Sequence, residues 1–316
     1  METIEAVYEV KDEDSYEWDD RPNRKWILSN GKDEAKFAGA SELKDNCEMY
    51  INGSKTEFQT QFAQEGHYEV KIIIKDATKF KSAENMFYGC SSLVKASFIN
   101  FKEPYLTNMN SMLYVCSNLE SLDLPSFNTS NVDDMSQMLY GCKKLKEIKG
   151  ISQFNTEKLT KIYGMFYLCS SLESVDLHSF NTSNVDDMSY LFWGCNQLKE
   201  IKGINQFNTE KVTKMNAMFH NCSNLESVDL HSFNTSNVEE MSHMFFQCTE
   251  LKEIKGISQF NTEKVTTMYH MFWNCPNLEF LDLHSFNTSN VESMDEMFNG
   301  CKKLKEIKGI SQFNTE

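Results

Sequence analysis

Ten cysteines are the residues of this 316-residue chain best suited to chemistry, since thiolates bind metals, form disulfides and act as nucleophiles. From Cys90 to Cys301 they recur at intervals of 26 or 27 residues. No Cys-x-x-Cys pair occurs and no histidine recurs beside the cysteines, which argues against zinc. The cysteines of the repeats lie on the predicted apolar face with Met and Phe or Leu residues, which favours buried free thiols. Stacked repeats would also bring neighbouring cysteines within disulfide range, so oxidation stays open on geometry alone.

Histidine and catalytic chemistry are constrained by the same periodicity. His178, His231 and His284 recur in every second repeat, which would separate them by about 10 Å in a stack, too far to share one metal ion. Catalysis needs a general base beside a nucleophile in one pocket, and identical repeats offer no unique pair. We therefore expect a protein that is not an enzyme and that carries no cofactor.

The charge balance bears on the partners. The chain has 31 Lys and Arg against 46 Asp and Glu, a net charge of −15, and 40% of its residues are hydrophobic. That hydrophobic content can form a sizeable core, while the acidic excess repels phosphate backbones and anionic lipid headgroups. Neither nucleic acid nor membrane insertion is expected.

The cysteine spacing indicates the elements that must position these residues. A phenylalanine recurs with the same spacing from Phe101 to Phe313, and repeats of 26 and 27 residues alternate, so that the longer period is 53. A fixed period in this range is typical of a solenoid. We predict nine coils over residues 81–316, preceded by a separate domain at residues 1–80.

Each repeat contains two hydrophobic patterns. The first predicts one face of a short helix, and it comprises Val132, Met135, Met138, Leu139 and Cys142 in one repeat. The second predicts a short strand of the leucine-rich-repeat kind, and it comprises Leu172, Val175 and Leu177. The predicted fold class is an α+β repeat solenoid, a leucine-rich-repeat-like stack of short helices and parallel strands with an N-terminal β-rich cap.

Charged residues alternate in sign at two positions beside the predicted strands. The first column contains Glu173, Lys199, Glu226 and Lys252; the second contains Asp176, Lys202, Asp229 and Lys255. Opposite charges on neighbouring strands stabilise the pairing, so we interpret the columns as a charge ladder that sets the stacking register. A stripe that binds ions or a partner is the alternative, although alternating charges produce almost no net field.

A column of aromatic residues lies about 140° from the centre of the predicted apolar face, so the rings should flank the core. Its members, here called the aromatic stripe, are Tyr88, Tyr114, Tyr140, Tyr167, Trp193, His220, Phe246 and Trp273, with Asn299 in the last repeat. The residues proposed to bind a partner are Tyr140, Tyr167, Trp193, Phe246 and Trp273. Partly exposed aromatic residues are enriched at protein interfaces. Packing between adjacent coils is the alternative.

An asparagine follows the recurring phenylalanine, from Asn128 to Asn314. We expect a ladder in which its amide satisfies backbone groups at a repeated turn. Four of these asparagines begin Asn-Thr-Ser, which leaves glycosylation as an alternative.

The two ends of the chain differ from the repeats between them. Strands are predicted at residues 4–10, 25–28, 48–51 and 67–74, with a hairpin turn at Asn52-Gly53, and Asp12 to Asp20 is expected to be a solvated loop. The sequence stops as a new repeat begins. We interpret this end as an uncapped coil, a truncation, part of a longer array, or a surface for stacking on a second copy.

The repeat FNTSNVDDMSxMFxxCxxLxxLDLxxF, which covers residues 81–316, resembles the BspA-like leucine-rich-repeat surface proteins. The resemblance implies a solenoid that acts in adhesion or protein–protein contact at the cell surface, with no catalytic residues. The first six residues, METIEA, lack a basic segment and an apolar run, which favours a cytoplasmic location. Two functions follow: a scaffold that binds a protein partner, and a structural element that assembles with itself.

Overall fold

The computed structural model describes residues 1–11, 26–29, 39–102 and 104–314. It is a β-solenoid of about eight coils. The chain forms two compact units, residues 1–158 and 159–316, which are described separately below. The acidic stretch from Asp12 to Asp20, Lys25 of one predicted strand, and the last two residues lie outside the described residues.

The first unit contains one seven-stranded sheet and a short helix, α1 (Ala40–Asn46). Its strands are β1 (Thr3–Val10), β2 (Cys47–Ile51), β3 (Ser54–Thr56), β4 (Gly66–Ile74), β5 (Leu93–Ile99), β6 (Ser121–Asp123) and β7 (Glu147–Lys149). Their spatial order is β3-β2-β4-β1-β5-β6-β7. Pairing is antiparallel as far as the β1–β5 pair and parallel from β5 to β7.

Strands β1 to β4 belong to the N-terminal region, and β1 has a specific place in the sheet. Strand β1 pairs with β5, the first strand of the repeat region, so that the first edge of the parallel sheet is covered. The hairpin at Asn52-Gly53 is confirmed, because β2 and β3 pair antiparallel on either side of it and both turn residues have positive φ, at 50° and 76°. Of the strand predicted at residues 25–28, the described part contains one antiparallel bridge, from Trp26 to Gln61. The domain boundary at residue 80 stays a prediction.

The second unit is built from short strands that pair in parallel. These strands are β8 (Ser174–Asp176), β9 (Glu200–Lys202), β10 (Ser227–Asp229), β11 (Glu253–Lys255), β12 (Phe280–Asp282) and β13 (Glu306–Lys308). They form the pairs β8–β9, β10–β11 and β12–β13. Each pair joins the two repeats of one 53-residue module, so the alternating repeats form structural doublets.

A 3-10 turn follows the second strand of each doublet, at Ile204–Gln206, Ile257–Gln259 and Ile310–Gln312. Gly203 begins the first of these turns with φ of 84°. A Cβ atom at Gly203 would lie 2.5 Å from the backbone nitrogen of His178 in the preceding coil. Both the left-handed conformation and the close approach therefore require glycine where the longer repeat has its extra residue.

The helix predicted in each coil is wrong. Successive turns occupy these residues, and two residues per coil, such as Ala217 and Asn221, have left-handed φ values of 51° and 57°. Backbone donors alternate between the same coil and the next: Met218 N–H donates to Met215 O at 3.4 Å, whereas Phe219 N–H donates to Met244 O at 2.9 Å. The helical apolar spacing is kept, but half of these donors pair with the neighbouring coil.

The core consists of columns of identical side chains. In the second unit Phe166, Phe192, Phe219, Phe245 and Phe272 are all buried, and their successive rings stack with centroids 5.4–5.8 Å apart. A buried threonine column lies beside the asparagine turn, where Thr182 Oγ1 donates to Asn208 O of the next coil at 2.9 Å. Each coil therefore depends on its neighbours to bury its apolar face.

Candidate functional site

The aromatic stripe of the first unit is a stack of half-buried tyrosines. The ring centroids of Tyr88 and Tyr114 are 4.5 Å apart with planes 5° from parallel, and those of Tyr114 and Tyr140 are 4.5 Å apart at 13°. Burial and the neighbouring hydroxyls of Tyr140 and Tyr88 raise the pKa of Tyr114. Its phenol group therefore stays neutral and can donate a hydrogen bond.

The stripe of the second unit continues this geometry with mixed rings. The ring centroids lie 4.4 Å apart for Tyr167–Trp193, 4.8 Å for Trp193–His220, 4.4 Å for His220–Phe246 and 4.6 Å for Phe246–Trp273. All interplanar angles are below 20°. Each inner ring is covered on both faces and presents an edge outward. The expectation that the rings flank the core is confirmed, since every one is half-buried.

An open pocket adjoins the stripe in the second unit. Its volume is about 410 Å³, and it is lined by Tyr190, Trp193, Asn216, Ala217, His220, Glu240, Ser242, His243 and Thr267. Two buried polar atoms there, Asn216 Oδ1 and His220 Nδ1, have no hydrogen-bond partner among the residues that the structure describes. Burial, followed by the charge of His243, lowers the pKa of His220 to about 4, so its imidazole is neutral near pH 7.

Sequence reasoning missed Asn216 and Ala217 as lining residues of a pocket. The information that could have identified them lies in the comparison of equivalent positions in successive repeats. Ala217 occupies the position that carries Tyr190 in the preceding coil and His243 in the following coil. A methyl group between two rings leaves a gap. An alignment of the repeats at this position would have revealed it.

The first column of the charge ladder forms ion pairs inside the doublets. Lys199 Nζ lies 2.8 Å from Glu173 Oε2, and Lys252 Nζ lies 2.7 Å from Glu226 Oε2. Hydrogen bonding to the lysine lowers the pKa of Glu173. These side chains are exposed, so the pairs contribute little individually. Their role in stacking register stays a prediction.

The second column is arranged differently from the expected Asp–Lys pairs. Asp176 and Lys202 are neighbours in register, but Asp176 Oδ1 contacts His178 Nδ1 at 2.8 Å, and Lys202 Nζ lies 3.8 Å from Glu200 on its own strand. Asp229 and Lys255 repeat this arrangement with the equivalent partners. Residues two apart point to the same side of a strand, so these side chains are closest to partners within their own coil.

The cysteine column is structural. All ten cysteines are free, and eight are buried. Cys195 Sγ donates to Phe166 O at 3.0 Å, and Cys222 Sγ donates to Phe192 O at 3.1 Å, so each thiol bonds a carbonyl of the preceding coil. Burial raises the pKa of both thiols. The prediction of buried free thiols is confirmed for these eight.

The asparagine ladder is also confirmed. Asn181 Oδ1 accepts a hydrogen bond from Ser183 N at 3.0 Å, and Asn208 Oδ1 accepts one from Glu210 N at 3.0 Å. The same bond recurs from coil to coil whether the sequence reads Asn-Thr-Ser or Asn-Thr-Glu. The side chain closes the turn in each coil.

Other surfaces offer less chemistry. In the first unit a larger pocket of about 750 Å³ is lined by residues of the sheet, among them Lys71, Lys95, Asp123 and Lys149. Across the described ranges, no group of three or more His, Cys, Asp or Glu side chains is arranged to hold a metal ion. Nor is any helix in the described part of the chain long and apolar enough to cross a membrane.

Comparison with known families gives a match over most of the chain. The model of the family described as "Mycoplasma protein of unknown function, DUF285" matches residues 24–121, 107–202, 172–274 and 194–313. No curated protein matches the chain.

Three solved structures of leucine-rich proteins are similar to the chain. A leucine-rich repeat protein from Eubacterium ventriosum has 17% identity and a TM-score of 0.39, over 67% of this chain and 59% of that one. A leucine-rich cell surface protein from Faecalibacterium prausnitzii has 14% identity and a TM-score of 0.27, over 64% and 76%. A leucine-rich repeat protein from Bacteroides ovatus has 15% identity and a TM-score of 0.23, over 85% and 96%. The chain thus spans about three fifths of the Eubacterium structure.

Proposed function

The chain belongs to the DUF285 family, described as Mycoplasma protein of unknown function, and for this member we propose a role as a non-enzymatic scaffold that binds a protein partner. The proposed contact surface is the aromatic stripe of the second unit. Adhesion at a cell surface is the form of this role that the resemblance to BspA-like proteins implies. That narrower family assignment is part of the proposal.

The observation that carries the proposal is the ring stack from Tyr167 to Trp273. The stack holds five rings in fixed orientation, so a partner would order few side chains when it binds, which lowers the entropic cost of association. Trp and Tyr dominate the binding energy of many protein interfaces. The outward ring edges carry the positive end of the aromatic quadrupole and favour carbonyl oxygens and the faces of other rings.

The repeat architecture favours binding over catalysis. The charged columns alternate in sign and the thiols of Cys195 and Cys222 are buried with raised pKa values, so neither column supplies an activated nucleophile. The pocket beside the stripe combines stacked rings with two polar atoms, Asn216 Oδ1 and His220 Nδ1, that have no partner among the described residues. Both are features of a recognition site.

The test is a pull-down with the purified chain from cells that express it naturally. The double variant Trp193→Ser, Trp273→Ser should lose the partner recovered by the wild type. Trp193→Phe, Trp273→Phe should retain it, because Phe246 already occupies the same column. Phe280→Ser removes an exposed ring on strand β12 and serves as the control.

Circular dichroism and thermal unfolding of each variant separate loss of binding from loss of fold. Capture of the same partner by the folded Ser double variant would contradict the proposal. So would an equal loss of the partner in Phe280→Ser, since that residue lies outside the stripe.

A further inference from the structure

The pocket beside the stripe lies where Ala217 interrupts a column of rings. Tyr190, Ala217, His243 and His270 occupy equivalent positions in successive coils, and all four have left-handed φ values between 51° and 61°. Three of them carry rings, and the ring centroids of His243 and His270 are 5.3 Å apart. Ala217 carries a methyl group that is 4% exposed. The gap above it is the open pocket of about 410 Å³.

The width of the gap suits one planar group. Tyr190 and His243 lie two coils apart, which corresponds to roughly 10 Å at the ~4.8 Å spacing of parallel strands. A ring placed between them would lie about 4.8 Å from each, close to the 4.4–4.8 Å separations within the neighbouring stripe. The interval between the rings of Tyr190 and His243 is therefore a space for one incoming ring.

The polar atoms of the gap favour a hydrogen-bond donor. The Asn216 amide nitrogen donates to the Glu240 carboxylate, and this bond determines which end of the amide carries the oxygen. Asn216 Oδ1 is consequently an acceptor, buried and without a partner in the described part of the chain. An unsatisfied buried acceptor is costly and gains by pairing with a donor.

The carboxylate of Glu240 makes the gap less favourable for phosphate-bearing ligands. Glu240 lies on its wall, with its other oxygen 3.7 Å from Lys214 Nζ. A carboxylate and an amide oxygen together repel anions and accept from an O–H or N–H group. A phenol or indole combines such a donor with a planar ring, and protein surfaces supply both as tyrosine and tryptophan side chains.

We propose that the pocket at Ala217 receives a tyrosine or tryptophan side chain of the protein partner, with its O–H or N–H group donating to Asn216 Oδ1. This inference rests on the proposed function and deepens it, since the stripe would supply the surrounding contact area. The inserted ring would complete the column between Tyr190 and His243. An anchor of this kind, buried at the centre of a patch, is the usual form of an interface hot spot.

The first test uses N-acetyl-tyrosinamide and follows the ring resonances of His220 and His243 by NMR. We expect saturable shifts, with N-acetyl-phenylalaninamide binding roughly threefold to tenfold more weakly because it lacks the donor. The variant Ala217→Tyr should abolish the shifts by filling the gap. It should fold, because Tyr190 holds the same backbone conformation with the same side chain. Equal binding of both amides, or stronger binding of adenosine, would overturn the proposal.

The second test separates this inference from the proposed function. In the pull-down, Ala217→Tyr should lose the partner, whereas Gln137→Tyr, at the equivalent left-handed position of a coil in the first unit, should keep it. Retention of the partner by folded Ala217→Tyr would overturn the pocket inference. If the Trp193→Ser, Trp273→Ser variant lost the partner in the same experiment, the proposed function would stand without the pocket.

Discussion

At the scale of single residues, His220 shows how the stack controls charge. Its imidazole lies between Trp193 and Phe246, with ring centroids 4.8 Å and 4.4 Å away. Burial, and then the charge of His243, lowers its pKa from 6.5 to about 4. The neighbouring rings thus favour a neutral imidazole, which can share a stack without the cost of desolvating a cation.

This shift predicts how stability depends on pH. Because the folded-state pKa lies below the unfolded value, the unfolded chain takes up the proton first as the pH falls. The contribution of His220 is complete above about pH 6.5, declines between pH 6.5 and 4, and is constant below that. After discounting for solvent contact, we expect a loss of about 1–2 kcal/mol over this range.

The measurement is the free energy of unfolding by urea from pH 7 to pH 4, compared with His220→Phe. Phenylalanine fits the column, as Phe246 shows, and it cannot titrate. As the pH falls from 7 to 4, the free energy of unfolding of the wild type should decrease by more than that of the variant. A difference that stays constant across the range would contradict the assigned pKa.

Single residues also show what could be predicted. The partial burial of the stripe followed from its angle to the apolar face, because burial depends on the period of the pattern. Ala217 could not be identified in this way, since an alanine within one repeat looks like any small residue. Its meaning depends on the rings of the preceding and following coils, which only become its neighbours when the coils stack.

At the scale of elements, the predicted helix and the observed turns share one apolar spacing. Met215, Met218, Phe219 and Cys222 are spaced i, i+3, i+4 and i+7, and both structures place such residues on one side. The difference lies in the backbone donors, half of which bond to the next coil. A single repeat contains no information about carbonyls supplied by its neighbour, so the pattern alone could not distinguish the two.

The strands, in contrast, were predictable in position and partly in pairing. The charge columns indicated that successive strands lie in register; β8 and β9 pair in parallel, and Glu173 and Lys199 lie 2.8 Å apart. The columns did not reveal that Asp176 contacts His178 in preference to Lys202. A side chain can contact a partner two residues away in its own coil or a partner on the next strand. The charge columns indicate only the second kind of contact.

The ion pair between Glu173 and Lys199 can be tested by charge reversal. Lys199→Glu places two carboxylates side by side on adjacent strands and should lower the melting temperature, on the order of 1 °C at low salt. The double variant Glu173→Lys, Lys199→Glu restores opposite charges at unchanged net charge and should recover the loss. Added salt should shrink the effect in the single variant.

Differential scanning calorimetry at two salt concentrations provides the measurement. Recovery in the double variant would tie the effect to the pair, because the total charge equals that of the wild type. A double variant no more stable than Lys199→Glu would show that this pair does not contribute to the stacking of coils.

At the scale of the whole molecule, stability arises from contacts between neighbouring coils. The same side chains recur in each column, and the hydrogen bonds of Cys222 and Thr182 both end on an adjacent coil. A coil separated from its neighbours would expose its apolar face and these polar groups together. In the first unit, β1 supplies the corresponding partner for β5. Unfolding of each unit should therefore be cooperative over several coils.

The thiols provide a readout of this cooperativity at nearly every coil. Cys47 and Cys301 are half-buried and the other eight are buried. Alkylation of the native protein near pH 8 should therefore modify Cys301 first. Cys47 should react slowly, since burial raises its pKa to about 11 and leaves little thiolate. All ten should react in concentrated guanidinium.

Mass spectrometry of timed alkylation reactions, resolved by peptide, would measure each rate. Cooperative opening predicts similar slow rates for Cys195, Cys222 and Cys248, because a thiol is exposed only when its coil leaves both neighbours. The Cys301→Ser variant should lose the fast phase and leave these rates unchanged. Rapid modification of Cys222 alone would instead place a local opening at the coil that carries Ala217 and its pocket.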